Sequence, residues 1–229
     1  MKLDVLYLDN HLIVVNKNPG LLVQKDKTGD IDLLTLAREF LKKKFNKPAN
    51  VYLGLVHRLD RPASGIIALA RTTKAASRLS SQFRNNTPQK RYLALVEGNC
   101  SGHGTCIDYI LKENQKVRIA DSSLPKAQYA ELAWKSVAKK DNMSLLEIEL
   151  KTGRPHQIRI QLANMGFPIL GDLRYGTKME FDGKNLALHC WLLGLEHPVK
   201  KELIKWVAKP PPTWNKRFDD EIKNIFSSA

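Results

Sequence analysis

Two short apolar runs open the chain, residues 3–8 and residues 12–16, parted by Asp9-Asn10-His11. Apolar runs of this length, bounded by turn-prone residues, read as the two strands of a hairpin. The chain therefore enters a sheet at once, with no small separate module in front, and the fold must build on that sheet. Lys17-Asn18-Pro19-Gly20 then reads as a turn.

The remaining pattern mixes helices into a majority of strands. Over residues 32–45, Leu33, Leu36, Ala37, Phe40, Leu41 and Phe45 recur at helical spacing, and Lys42-Lys43-Lys44 crowd the last turn, where cations suit the helix dipole. Residues 66–70 form a short buried strand, and Thr73 is placed to cap a helix that runs to about Arg84. Residues 91–97 alternate, which puts Tyr92, Ala94 and Val96 on one face. Residues 105–151 read as several strands, among them 126–135 and 143–151, with turns at Ser122-Ser123 and Lys140-Asp141-Asn142. Pro155 suits a first helical residue and Gly166 the position just past a helix end. On that helix Ile158, Leu162 and Met165 make one stripe, beside His156, Arg159 and Ala163. Strands at 186–195 and 203–207 follow, and Pro210-Pro211-Pro212 precede a terminal helix over 214–226. Without repeats, low-complexity tracts or long linkers, residues 1–229 read as a single domain dominated by sheet.

Charge narrows the partner. The 37 Lys and Arg outnumber the 23 Asp and Glu, a net charge of +14, and such an excess draws polyanions from about one Debye length, roughly 8 Å at physiological salt. Nucleic acid is the expected partner. A membrane is not, because no apolar run is long enough to span a bilayer, and the first residues lack the architecture of a secretion signal. The odd set Cys100, Cys106 and Cys190 suits a reducing compartment. Cys100, His103 and Cys106 are three potential zinc ligands, but the residues between them look like a turn and no second ligand pair follows at finger spacing, so no metal is expected.

Two clusters carry functional groups. Asp60 ends the run Leu55-Val56-His57-Arg58-Leu59-Asp60-Arg61-Pro62, flanked by two guanidiniums. Nearby cations favour the charged form of an acid, which suits Asp60 to the role of nucleophile or charge partner. Pro62 and Gly65 place it on a loop, and the same residues suit an ordinary solvated turn. The second cluster, Thr152-Gly153-Arg154-Pro155-His156-Gln157-Ile158-Arg159, gathers two arginines, a histidine and a glutamine at a helix start, a place suited to a phosphate or carboxylate and equally to a basic surface. No phosphate loop, nucleophile elbow or dinucleotide turn is present.

These residues resemble a known family. His57-Arg58-Leu59-Asp60 followed by Ser64-Gly65 is similar to the catalytic motif of the RluA family of RNA pseudouridine synthases. The run from Leu6 to Lys17 resembles its opening motif, Lys90-Arg91-Tyr92-Leu93-Ala94-Leu95-Val96-Glu97-Gly98 its tyrosine motif, and Thr152 to Arg159, with Gly171-Asp172 and Tyr175-Gly176, its arginine motif. Leu186-Ala187-Leu188-His189 and Glu196-His197-Pro198 resemble its closing strands. Asn18, Pro62-Ala63 and Gln161 depart from the family's usual residues, without removing a group the chemistry requires.

The resemblance implies an α+β pseudouridine synthase fold: a central mixed, mainly antiparallel sheet flanked by helices and loops, with an active-site cleft across it and no N-terminal RNA-binding module. It implies isomerisation of specific uridines in ribosomal or transfer RNA, without cofactor or metal, by a cytoplasmic enzyme. Asp60 would be the catalytic carboxylate and Arg159 its ion-pair partner. Tyr92 would stack on the uracil and Arg58 fill the space left by a flipped nucleotide, with Arg154 and His57 also meeting substrate. The absence of a heptad seam suggests a monomer. Two rival readings of the same residues are a non-catalytic RNA-binding or ribosome-assembly protein on this fold, and a carboxylate-dependent phosphotransferase or hydrolase using magnesium.

Overall fold

In the computed structural model, which describes residues 3–46, 48, 50–114, 116–183, 185–214 and 217–227, the chain divides into two compact units. One comprises Met1–Pro88 and Trp191–Lys209, the other Gln89–Cys190 and Pro210–Ala229.

The first unit starts with the expected hairpin, β1 (Asp4–Leu8) antiparallel to β2 (Leu12–Lys17). Asp9 shapes its turn: one carboxylate oxygen accepts from the backbone N–H groups of His11 and Leu12, each at 2.7 Å. Its other oxygen lies 2.8 Å from Nε2 of buried His197, whose Nδ1 accepts from the N–H groups of Val199 and Lys200. That arrangement leaves the imidazole proton on Nε2, and it ties the returning chain to the first turn. Strand β4 (Ser64–Ala70) runs antiparallel to β2, while the short β3 (Gly54–Leu55) pairs with the end of β4. All seven residues of β4 are buried, which is why its sequence is a continuous apolar run and not an alternation.

Helix α1 (Leu33–Lys44) begins at Asp32, whose carboxylate accepts from the Thr35 N–H. Helix α2 (Thr73–Arg84) is capped by Thr72, one residue earlier than expected, through a 3.1 Å bond from the Ala75 N–H. Thr72 is extended, with φ −137° and ψ 153°, the backbone a capping residue needs, and Thr73 is already helical.

In the second unit the strands β5 (Gln89–Glu97), β6 (His103–Glu113), β7 (Lys116–Ala120), β8 (Gln128–Lys140) and β9 (Met143–Leu150) pair in the order β5-β9-β8-β6-β7, each pair antiparallel. Strand β8 extends past the expected residue 135, because its ladder with β9 continues beyond a bulge between Ser136 and Ala138. Asp141 and Asn142, both at positive φ, close that hairpin as a two-residue turn.

Helix α3 (Gln157–Asn164) begins two residues after Pro155, not at it. Pro155 sits instead in a turn closed by a bond from the Gln157 N–H to the Arg154 carbonyl, and His156 takes φ 53°, which excludes it from the helix. Gly166, at φ 85°, ends the helix where the sequence placed it. The expected apolar stripe on α3 is absent, because Gln157 through Leu162 are all buried. Ile160 packs against Ile110, Val117 and Ala130 of the sheet.

Strand β10 (Leu188–Glu196) begins in the second unit and continues in the first, where it pairs with β11 (Leu203–Val207). A 3-10 turn at Pro212–Trp214 precedes α4 (Asp219–Ser227). Residues 215 and 216 of the expected terminal helix lie outside the described residues. The protein is α+β, a mixed and mainly antiparallel sheet with four α-helices among the described residues.

Candidate active site

Asp60 belongs to a loop held from two sides within the first unit. His57 Nε2 accepts the Ala68 N–H of β4 at 3.0 Å, and its ring stacks on Phe83 of α2, with centroids 4.3 Å apart and planes 13° from parallel. Leu59 is buried, and the Ala63 N–H donates to the Asp60 carbonyl across Arg61 and Pro62. Gly65 follows at φ 121°, a backbone that favours glycine. Asp60 itself is half-buried, while Arg58 is exposed.

The cations around Asp60 differ from those the sequence suggested. Arg61 turns to Asp30 at 2.6 Å and donates through Nε to the Gly20 carbonyl. Lys17 takes a more internal place. It is the last residue of β2, not part of a turn, and is 0% exposed. Its ammonium donates to the carbonyls of Asn18, Leu21 and Arg61 at 3.0, 2.9 and 3.1 Å. Burial lowers its pKa to about 7; the Asp60 charge pulls it back up and Arg61 pushes it down. Sequence reasoning missed Lys17, although a lysine closing a strand of buried apolar residues was the available signal.

In the second unit, Tyr92 stands on β5 opposite Ile148 of β9, only 7% exposed. Lys90 lies two residues away and so shares its face of the strand. Arg159 projects from α3 into a buried, two-pronged pair with Asp172, Nε to Oδ2 at 2.7 Å and Nη2 to Oδ1 at 2.9 Å. Its guanidinium also lies over the Tyr175 ring, 5.1 Å from the centroid, and the Tyr175 hydroxyl is 2.8 Å from His156 Nδ1. Asp172 was visible in the arginine motif but not as a partner of Arg159.

Three polar side chains within the buried stretch Gln157 to Leu162 of α3 find partners. Arg159 is satisfied by Asp172, the Gln161 amide donates to Asp108 at 2.7 Å, and Gln157 reaches back to the loop before the helix. Gln157 accepts from the Thr152 hydroxyl and the Arg154 N–H and donates to the Glu131 carbonyl. Arg154 is anchored by Nε to the Tyr129 carbonyl at 2.8 Å. Among the described residues no cluster of three His, Cys, Asp or Glu is arranged to hold a metal ion, and no helix is long and apolar enough to cross a membrane.

Comparison with known proteins gives this arrangement a context. The family described as RNA pseudouridylate synthase matches residues 11–164, a span that includes Asp60, Tyr92, Arg154 and Arg159. The chain is 34% identical to tRNA pseudouridine synthase C of Haemophilus ducreyi, over 96% of each chain. It is 30% identical to ribosomal large subunit pseudouridine synthase D of Zymomonas mobilis, over 91% of this chain and 69% of that one. The structure of human RNA pseudouridylate synthase domain containing 4 shares the fold, with a TM-score of 0.76 at 24% identity, covering 96% of this chain and 92% of the other. With an acid loop, a buried tyrosine strand and an arginine helix all inside the matched span, the chain belongs to the RNA pseudouridylate synthase family.

Proposed function

We propose that Asp60 is the carboxylate with which this synthase converts uridine to pseudouridine in RNA. The N1–C1′ bond breaks, the uracil turns, and C1′ is rejoined to C5, while the C5 proton leaves and N1 gains one. Atoms and electrons balance without a redox partner, and neither metal nor nucleotide is needed in this reading. Asp60 acts by adding to C1′ or to the base. The observation that carries the assignment is the setting of Asp60: an acid on a loop pinned by His57, its charge acting on the buried ammonium of Lys17.

Substrate-binding roles go to Tyr92, Arg159, Arg58 and Arg154. Tyr92 offers a ring to the extruded uracil, since enzymes that act on a base must take it out of its stack. Exposed Arg58 is available to fill the vacated space. His57 serves binding through the loop it holds, because Nε2 and one ring face are taken by Ala68 and Phe83. We read the two compact units as parts of one catalytic domain, supported by a family match that runs across both and a strand, β10, that belongs to both. The working form is a monomer, and three buried cysteines suit the cytoplasm.

Transfer RNA is the substrate class favoured here over ribosomal RNA. The tRNA synthase of H. ducreyi is matched over 96% of its length, the ribosomal synthase of Z. mobilis over 69%. The test uses tRNA and rRNA carrying tritium at uridine C5. Wild-type protein should release tritium from tRNA, and Asp60→Asn should release none while still binding RNA. Release by Asp60→Asn at the wild-type rate would remove Asp60 from the chemistry; release from rRNA alone would reverse the choice of substrate.

A further inference from the structure

Lys90 is only 7% exposed, but its ammonium is not one of the buried polar atoms left without a partner: the stem is buried and the charged end keeps an open side, with no described carboxylate bonded to it. A lysine whose stem is held by the protein presents its ammonium at a fixed place. Its Nζ lies 3.9 Å from the point where a side chain at Gly153 would begin, directly against the loop that carries Arg154. Arg154 is fixed by its Nε on the Tyr129 carbonyl, and among the described residues its two terminal nitrogens have no partner. Lys90 and Arg154 therefore lie close enough to repel each other, beside one exposed glycine. Such a pair repels itself until an anion arrives, and a guanidinium anchored at Nε presents its fork already oriented.

We propose that Lys90 and Arg154 form a seat for one RNA phosphate, that of the nucleotide presented to Tyr92. Lys90 and Tyr92 project from the same face of β5, two residues and about 7 Å apart. That separation suits a base and the phosphate of its own nucleotide. Gly153, lacking a side chain, leaves the seat open. Burial lowers the Lys90 pKa, with Cys190 raising it and Arg154 lowering it further, so an incoming phosphate would hold the ammonium in its charged form. Phosphate contacts position RNA without reading its sequence, and the seat would fix the register of whichever uridine is chosen.

This inference rests on the synthase reading, and its test separates the two. Unfractionated tRNA serves as the binding probe and C5-tritiated tRNA as the substrate. Lys90→Met should raise KM about tenfold with little change in kcat. The slope of log binding constant against log salt should become shallower by about 0.7–0.9, the signature of one lost phosphate contact. The same variant should melt no lower than wild type, because methionine keeps a buried stem and removes a charge that burial and Arg154 both disfavour. Gly153→Asp, which places a carboxylate beside Lys90, should give the same change in KM and slope by occupying the seat. Arg154→Gln should shift the slope likewise. A Lys90→Met protein that unfolds or melts lower makes Lys90 structural and overturns the proposal, as does an unchanged slope in all three variants. Wild-type protein that releases no tritium overturns the synthase reading instead, and the salt slopes then still decide the phosphate seat.

Discussion

Replacing Lys17 by methionine should change how stability depends on pH, by an amount the structure allows to be worked out. The folded chain lowers this ammonium from 10.5 to about 7, principally by burial. The unfolded chain keeps its proton up to about pH 10.5, whereas the folded chain sheds it from about pH 7. Between those limits the unfolded state binds more protons, so raising the pH stabilises the folded state. At about 1.36 kcal/mol per unit, keeping Lys17 charged opposes folding by about 4 kcal/mol at pH 7, and about 2 kcal/mol of this is relieved by pH 9. Lys17→Met removes the titration. It also leaves the carbonyls of Asn18, Leu21 and Arg61 without their donor, so its effect at a single pH sums opposing contributions, while the slope does not. Urea unfolding followed by tryptophan fluorescence at pH 7, 8 and 9 would measure both proteins. The wild-type advantage over Lys17→Met should grow by about 2 kcal/mol across that interval. A difference that stays flat, or shrinks, would refute the buried-cation account of the Asp60 loop.

Two further outcomes follow from buried groups in the second unit. Asp172→Asn should lower stability by about 3–5 kcal/mol in urea unfolding, because it strips the charged partner from Arg159, a guanidinium only 8% exposed; a loss below about 1 kcal/mol would mean that the pair is dispensable. Burial raises the Cys106 thiol to about 11, with Asp108 and Cys100 adding to the shift. Since Cys100 and Cys190 are buried too, Ellman's reagent at pH 8 should label no thiol rapidly in the folded protein and all three in urea.

Local chemistry made much of the fold legible in the sequence. The opening hairpin follows from Asp9, whose short carboxylate meets its own turn. The end of α3 follows from Gly166, which takes a backbone conformation that other residues resist. Both depend on neighbours within a few residues. The misplacements are equally physical. Thr72 and Thr73 carry the same side chain, and only backbone angles decide which one caps α2. Pro155 suits both a first helical turn and the reverse turn it occupies, and the positive φ of His156 selects between them.

The amino-acid sequence by itself determined that strands dominate, where most of them lie, that the partner is a polyanion, and that Asp60, Tyr92 and Arg159 stand in the motifs of one enzyme family. Tertiary structure decided which charges are taken out of water. Lys17, Lys90 and Arg159 are three cations among 37 basic residues; the apolar strand that Lys17 closes hints at its burial, while nothing as local singles out Lys90 or Arg159. Their burial, and hence their pairing with Leu21, with Asp172 or with no described partner, comes from segments brought together by packing, and the energy of a charge depends on that surrounding medium more than on the residues beside it in the chain.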